Sequence, residues 1–329
     1  MNCISRRGCI IGIDGGGTKT MACVADITNA TLRAAKTGGS YWRETGIDAV
    51  VSNLLGTVGG LVGGNLHNVA GIAMGLPCHG ESAEGDAAME RALHGAFGSI
   101  PLYITNDVEV GWAGSLALSP GINVVAGTGA IAFGKDSCGA SARSGGWSHF
   151  FSDEGSCYWI GRAVMGLFAK QSDGRMQRDE LYHVVRAHFG LNDDFEFIDI
   201  MHNGYIGSRE RVASLQLLAE RAALAGSSSA KALYERAAAE LGLLAAAVKA
   251  RLNIGDGQPL AISYSGGLFK AGELILPLFA DVIGKIGGKL VKPRFEPAGG
   301  ALLLACQQYC PDMTGQVESL ILEGYKNNG

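Results

Sequence analysis

The chain has no apolar run near the roughly 18 residues that a membrane-spanning helix requires, so nothing in it reads as a membrane span. It has no long run of one charge: 27 Lys and Arg stand against 31 Asp and Glu, for a formal net charge of -4. That balance supplies neither the basic stripe of a nucleic-acid binder nor a polybasic membrane patch. The eight cysteines, at 3, 9, 23, 78, 138, 157, 306 and 310, contain no CxxC pair, which removes the usual zinc and dithiol signatures. Cys306 and Cys310 share a predicted helix face, but two thiols do not complete a zinc site. The opening, MNCISRRGCIIGIDGGG, carries arginines but only a four- or five-residue apolar run before its glycines. A signal peptide needs a longer apolar core, so the expectation is a cytoplasmic protein with reduced, mostly buried thiols.

Glycine is what the chain has in excess: 50 in 329 residues, roughly twice the usual share. The glycines cluster beside short apolar runs and follow no fixed period, which excludes collagen-like and low-complexity classes. Tight backbone turns close to a ligand are the expected use. The length is enough for two domains with a sizeable core.

Along the chain, residues 9–13 form a short apolar run that breaks at DGGGTKT and resumes at 21–25, the pattern of a β-hairpin. A helix is predicted over 49–62, with Val50, Leu54, Val58 and Val62 on one stripe. A buried strand follows at 69–75, a helix at 87–97, and a strand at 102–105 that ends at Asn106 and Asp107. INVVAGTGAIAFG then reads as a second hairpin, with strands at 122–126 and 130–134 around Gly127, Thr128 and Gly129. The two hairpins are alike, and they are the internal repeat of the sequence. Beyond them the character turns helical, with alanine-rich helices over 211–225 and 230–252; Leu233, Ala237, Leu241, Leu244 and Val248 mark one face of the second. A strand at 259–265 leads into Gly266 and Gly267, and Pro297-Ala298-Gly299-Gly300 opens an apolar helix at 301–308. No disordered linker is visible, so any domain boundary must be a short hinge.

Two segments carry chemistry. In DGGGTKT, three glycines after a strand-terminal Asp14 let backbone N–H groups turn toward a phosphate, with the Thr18 and Thr20 hydroxyls and the Lys19 charge beside them. A plain hairpin turn would use the same glycines for positive φ. The motif is neither a P-loop nor a dinucleotide fingerprint, because no Gly-Lys-Ser/Thr follows and the segment returns as a strand. The second segment, GGWSHFFSDEGSCYWIGR at 145–162, packs two tryptophans, a histidine, two phenylalanines and a tyrosine around Asp153 and Glu154. It fits neither strand alternation nor a helix, given four glycines.

Three glycine loops in order, each ending an apolar strand, resemble the acetate and sugar kinase/heat-shock/actin superfamily. Within it the chain most resembles the BadF/BadG/BcrA/BcrD-type ATPases, and among those the N-acetylglucosamine kinases. The resemblance covers nearly the whole length and rests on IDGGGTKT, ITNDVEVGWAGS, VVAGTGA, GGWSHFFSDEGSCYWIGR and the late SGG. It implies an α/β fold of two duplicated ribonuclease H-like domains with an ATP cleft between them. The first domain would be discontinuous, 1–115 plus 300–329, and the second would span 116–299.

The resemblance also implies roles. Asp107 would be the catalytic base that accepts the proton of the attacking sugar hydroxyl; the same residue could instead be a plain helix N-cap. Asp14 would hold Mg²⁺ through water. ATP would be bound by Gly15, Gly16, Gly17, Thr18, Lys19 and Thr20, by Gly127, Thr128 and Gly129, and by Gly266, Gly267 and Lys270. The sugar would meet Ser40 and Trp42 of TGGSYWRETG, Asn106 and Asp107, and Gly146, Trp147 and Asp153 of the aromatic loop. Aromatic faces and carboxylates together suit a pyranose, while Tyr158 and Trp159 are expected to pack in the core.

The implied activity is ATP-dependent phosphorylation of the 6-hydroxyl of an amino sugar. N-acetylglucosamine is the first candidate and glucosamine the second. Ser40 stands where the family has asparagine, Ala130 and Ile131 where it has small polar residues, and GLPCHGE at 75–81 departs similarly, all on the sugar side. A competing class in the same fold, the ATPase activators of radical dehydratases, holds an iron–sulfur cluster with paired cysteines, and Cys157 has no such partner near it in sequence. A third class, a non-catalytic sensor, would not need Asp107. Family members are often homodimers, and the expected partners are a sugar and ATP, with no nucleic acid and no membrane.

Overall fold

The computed structural model describes residues 8–252 and 260–327; Cys3, the opening segment and Pro259 lie outside the described residues. The chain divides into two compact units, Met1–Ser119 with Pro293–Gly329, and Pro120–Lys292.

The first unit starts with β1 (Cys9–Gly15) and β2 (Lys19–Asp26), an antiparallel hairpin in which Asp14 lies opposite Met21 and Gly15 opposite Thr20. β1 is apolar and almost entirely buried, as a central strand covered on both faces must be. An unexpected third strand, β3 (Thr31–Gly38), pairs antiparallel with β2 at the sheet edge. Its sequence, TLRAAKTG, has no buried residue, so it lacks the alternation that marks a strand, and its Arg and Lys guard an exposed edge. α1 (Trp42–Thr45) and α2 (Ile47–Leu61) lead to β4 (Val69–Leu76), which runs parallel to β1. The buried stripe of α2 ends on Leu61, not on Val62, which lies just past the helix. α3 (Ala83–Phe97), capped by the Ser82 side chain, crosses to β5 (Leu102–Asn106), parallel to β4, and α4 (Asp107–Leu116) follows at once. Strand order is β3-β2-β1-β4-β5.

The second unit repeats this plan. β6 (Gly121–Ala126), β7 (Ala130–Lys135) and β8 (Ser141–Gly145) form an antiparallel meander. A helical stretch follows: α5 (Cys157–Ser172), α6 (Glu180–Phe189), α7 (Glu196–Gly204), α8 (Arg209–Ser214), α9 (Gln216–Leu224) and α10 (Ser228–Arg251). β9 (Leu260–Ser265) is parallel to β6; after a 3-10 segment, Gly267–Leu274, come α11 (Leu276–Lys285) and β10 (Gly288–Leu290), parallel to β9. The order β10-β9-β6-β7-β8 is that of the first sheet read from the other edge, with the same strand directions. The repeated hairpin in the sequence is thus part of a repeated sheet. β8, α6 and α7 were not expected from sequence. The start of α6 depends on Asp179, whose carboxylate accepts from the Leu181 N–H at 3.0 Å, from Ser227 Oγ at 2.7 Å and from the Ser229 N–H at 3.0 Å. Two of those partners lie about fifty residues away, beyond any local pattern.

The chain returns to the first unit as α12 (Pro297–Tyr309) and α13 (Thr314–Asn327). Ala298 through Cys306 are all buried, so α12 is apolar all round, the mark of a helix enclosed on every side. Its approach to α4 needs glycine: a Cβ on Gly300 would stand 2.1 Å from the Val110 carbonyl oxygen and 2.2 Å from the Gly114 nitrogen. Among the described residues, no helix is long and apolar enough to cross a membrane.

Candidate active site

In the first unit the carboxylates Asp14 and Asp107 share the C-terminal edge of the parallel strands. Asp14 pairs with Gly75 of β4, and Leu76 pairs with Asn106, the residue before Asp107. The ends of adjacent parallel strands are where open α/β sheets place ligands. Asp107 begins α4, but the cap is Asn106: its Oδ1 accepts from the Val108 N–H at 3.1 Å, and its Nδ2 donates to the His79 carbonyl at 2.7 Å. The capping role that could have explained Asp107 is therefore filled by its neighbour. Gly75 lets α4 start this close to β4, since a Cβ there would stand 2.5 Å from Val110 Cγ2 and 3.1 Å from Asp107 Cα.

The Asp14 carboxyl is pushed up to about 7, by burial first, then by the negative charges of Asp107 and Glu296, with Lys19 pulling the other way. Glu296, the residue before Pro297 at the start of α12, is a participant that sequence reading missed. The only signal for it is its place before Pro-Ala-Gly-Gly, which brings the chain back to this sheet. Among the described residues no three His, Cys, Asp or Glu side chains are arranged to hold a metal ion by themselves.

Around the first glycine turn, Gly17, Thr18 and Lys19 are exposed, while Thr20 turns inward at 1% exposure. Strand alternation puts the Thr20 hydroxyl inside, where it has no hydrogen-bond partner among the described residues. Ser40 is also turned inward: it is 1% exposed, its N–H donates to the Gly16 carbonyl at 2.9 Å, and its Oγ fills the space where a Gly15 Cβ would lie. Trp42 packs on the start of α3, its ring 2.3 Å from where a Gly85 Cβ would sit, with the Arg43 guanidinium 4.7 Å from the ring centre.

In the second unit two of the glycine loops meet. Gly266 has φ +103°, and a Cβ there would stand 2.4 Å from the Ala126 carbonyl oxygen and 2.9 Å from the Gly127 nitrogen. Only glycine fits, so SGG is pressed onto the Gly127–Thr128–Gly129 turn, with Lys270 exposed nearby in the 3-10 segment. The turn is framed by the Gly127 N–H donating to the Gly129 carbonyl and the Cys157 N–H donating to the Gly127 carbonyl, both at 2.9 Å.

The aromatic loop divides in two. Trp147, Phe150 and Phe151 stand in solvent at 77%, 78% and 73% exposure. From Cys157 onward the segment is helix α5; Tyr158 and Trp159 pack on the core as expected, and Arg236 lies over the Trp159 ring. Asp153, expected at the sugar, is 2% exposed with φ +62°. Its Oδ2 accepts from Arg209 Nη2 at 2.6 Å and its Oδ1 from the Ala130 N–H at 3.3 Å, which ties it to the second glycine turn. Arg209 was not foreseen, because it lies 56 residues from its partner. Gly146, φ +68°, lies against the Ile131 side chain. The Cys157 thiol is buried and pushed up to about 11 by desolvation.

Comparison with known proteins finds similarity to sugar kinases along nearly the whole chain. A curated N-acetylmuramic acid/N-acetylglucosamine kinase of Clostridium acetobutylicum is 26% identical over 303 residues, covering 90% of this chain and 97% of its own length. An N-acetyl-D-glucosamine kinase of Dictyostelium discoideum is 26% identical over 311 residues, with the same coverage. The crystal structure of a candidate N-acetylglucosamine kinase from Chromobacterium violaceum superposes with a TM-score of 0.70 at 26% identity, over 91% of this chain and 99% of that one. A ROK family glucokinase from Streptomyces griseus shares the fold, with a TM-score of 0.54 at 16% identity over 92% of this chain and 99% of that one. The BadF/BadG/BcrA/BcrD ATPase family matches residues 11–305, and the chain belongs to that family.

Proposed function

We propose that this protein is an ATP-dependent amino-sugar kinase that phosphorylates the 6-hydroxyl of N-acetylglucosamine, with glucosamine as the alternative acceptor. The observation that carries the reading is the pair Asp14 and Asp107 at the C-terminal ends of β1 and β5, the two parallel strands that flank β4, with the Gly15–Gly16–Gly17 turn following Asp14. Two relatives named for phosphorylating N-acetylated amino sugars, similar along nearly their whole length, support the substrate class.

Asp107, the first residue of α4 after the capping Asn106, takes the proton of the sugar hydroxyl as that oxygen attacks the terminal phosphorus. In the first unit the backbone N–H groups of the first glycine turn, with the Lys19 ammonium, suit phosphate oxygens; in the second unit the backbone amides of the Gly127, Thr128 and Gly129 turn suit the same chemistry. The Gly266–Gly267 pair, flat and without side chains, suits a ribose or base. The donor set fits a magnesium ion: Asp14 carries crowded negative charge that a cation would offset, and a single carboxylate with water and phosphate oxygens is a usual Mg²⁺ environment. Such an ion would neutralise charge on the transferring phosphoryl group. Trp147, exposed on its loop, offers the apolar ring face that a pyranose prefers.

The test is an ADP-release assay with Mg-ATP against N-acetylglucosamine, glucosamine, N-acetylmannosamine, N-acetylmuramic acid, glucose and a no-sugar blank. Turnover with an N-acetylated amino sugar above the blank is expected. Hydrolysis independent of sugar, or selective turnover of glucose, would overturn the assignment.

A further inference from the structure

The DEGSCYWIG segment is built as a lock on the second glycine turn. Asp153 is buried, and its two carboxylate oxygens go to the Ala130 N–H and to Arg209. A Cβ on Gly129 would stand 2.5 Å from Arg209 Nη2 and 2.9 Å from Asp153 Oδ2, so the ion pair sits directly against the turn. Four residues on, Cys157 donates its N–H to the Gly127 carbonyl. Arg209 is held in turn by close helix packing. It begins α8, and a Cβ on Gly161 of α5 would stand 1.9 Å from the Val212 carbonyl oxygen of α8. The aspartate and the last glycine of one motif thus converge on a single arginine, the first as its partner and the second as the space its helix needs.

We propose that Arg209 is a positioning residue for nucleotide binding: through Asp153 it fixes the Gly127–Gly129 turn in the shape that receives ATP phosphates. This rests on the kinase reading above. The Arg209 side chain is 41% exposed while Asp153 is 2% exposed, so the guanidinium neutralises a buried charge from a position that still reaches solvent. Removing it would leave the Asp153 carboxylate buried and unpaired, and the turn's Ala130 N–H would be held by an ion that now favours leaving for water.

The experiment is calorimetric titration of Mg-ATP without sugar, beside steady-state kinetics and thermal melts, for wild type, Arg209→Met, Arg209→Lys, Asp153→Asn and the Arg209→Met/Asp153→Asn double variant. Arg209→Met is expected to weaken ATP binding at least about tenfold while the sugar KM stays within about threefold. Arg209→Lys should recover much of the loss, and the double variant should be less impaired than the two single losses multiplied, because it removes the stranded charge. If Arg209→Met does not fold, Arg209→Lys and Asp153→Asn carry the test, with the nucleotide affinity expected to fall more than the sugar KM rises. Unchanged ATP binding, a selective rise in sugar KM, or multiplicative losses in the double variant would overturn the proposal; the second would make Asp153 a sugar contact. Absence of ATP binding in the wild type would instead sink the kinase reading itself, so the two failures are distinguishable.

Discussion

Replacing Asp14 by asparagine probes the charged edge of the first sheet without depending on the reaction. The carboxyl is raised from 3.8 to about 7 by burial and by Asp107 and Glu296. Well below pH 3.8 the side chain is protonated in folded and unfolded chains alike, and the group has no effect on stability. Between about pH 4 and 7 the unfolded chain gives up the proton that the folded one keeps, so stability falls as pH rises; above about 7 the full cost is present. At 1.36 kcal/mol per pH step that cost reaches about 4 kcal/mol, and at pH 5 it is under about 2 kcal/mol. The amide of the Asp14→Asn variant keeps the shape of the carboxyl and removes its charge. In chelator-treated protein, Asp14→Asn should therefore raise the melting temperature at pH 8 by several degrees, since ~1 kcal/mol is worth about 2–4 °C in a chain of this kind. The gain should shrink by about half or more at pH 5. Millimolar Mg²⁺ at pH 8 should stabilise the wild type and not the variant, by mass action on the folded state. Scanning calorimetry at the two pH values decides it. A variant that melts at or below wild type at pH 8, or an offset unchanged at pH 5, would refute the electrostatic account of this edge.

Three further outcomes follow from the site. Asp107→Asn should keep sugar binding and lose at least about a hundredfold in kcat, the usual scale for a general base; near-normal turnover would remove Asp107 from that role. Trp147→Ala should leave the melting temperature unchanged, because the ring is 77% exposed, while raising the sugar KM more than the ATP KM; kinetics showing the reverse order would displace the loop from the sugar. Gly266→Ala forces a Cβ to 2.4 Å from the Ala126 carbonyl oxygen at φ +103°, so a loss of roughly 1–3 kcal/mol in denaturant unfolding and weaker ATP binding are expected; wild-type stability would show that the turn moves aside freely.

The sequence by itself determined the elements whose signal is local. Apolar runs broken by glycine placed both hairpins, because a buried central strand needs near-continuous hydrophobicity and its turn needs residues without Cβ. The 3.6-residue stripe placed α2 and α10, and the resemblance carried by the glycine motifs led to the family. Edge strand β3 was illegible because none of its side chains is fully buried and its sequence, TLRAAKTG, has no regular apolar alternation. The tertiary structure was needed to tell which polar residues stand at the strand ends and which are turned inward. Asn106 took the cap, leaving Asp107 at the strand edge, a distinction that two adjacent polar letters do not contain. Ser40 and Thr20 were turned inward by packing and strand phase. Glu296 reached Asp14 because α12 returns to the first sheet, and Arg209 reached Asp153 because a glycine lets α8 press on α5. Charge pairing and burial depend on distance in space, and residues 56 or nearly 300 apart in the chain carry no local trace of it.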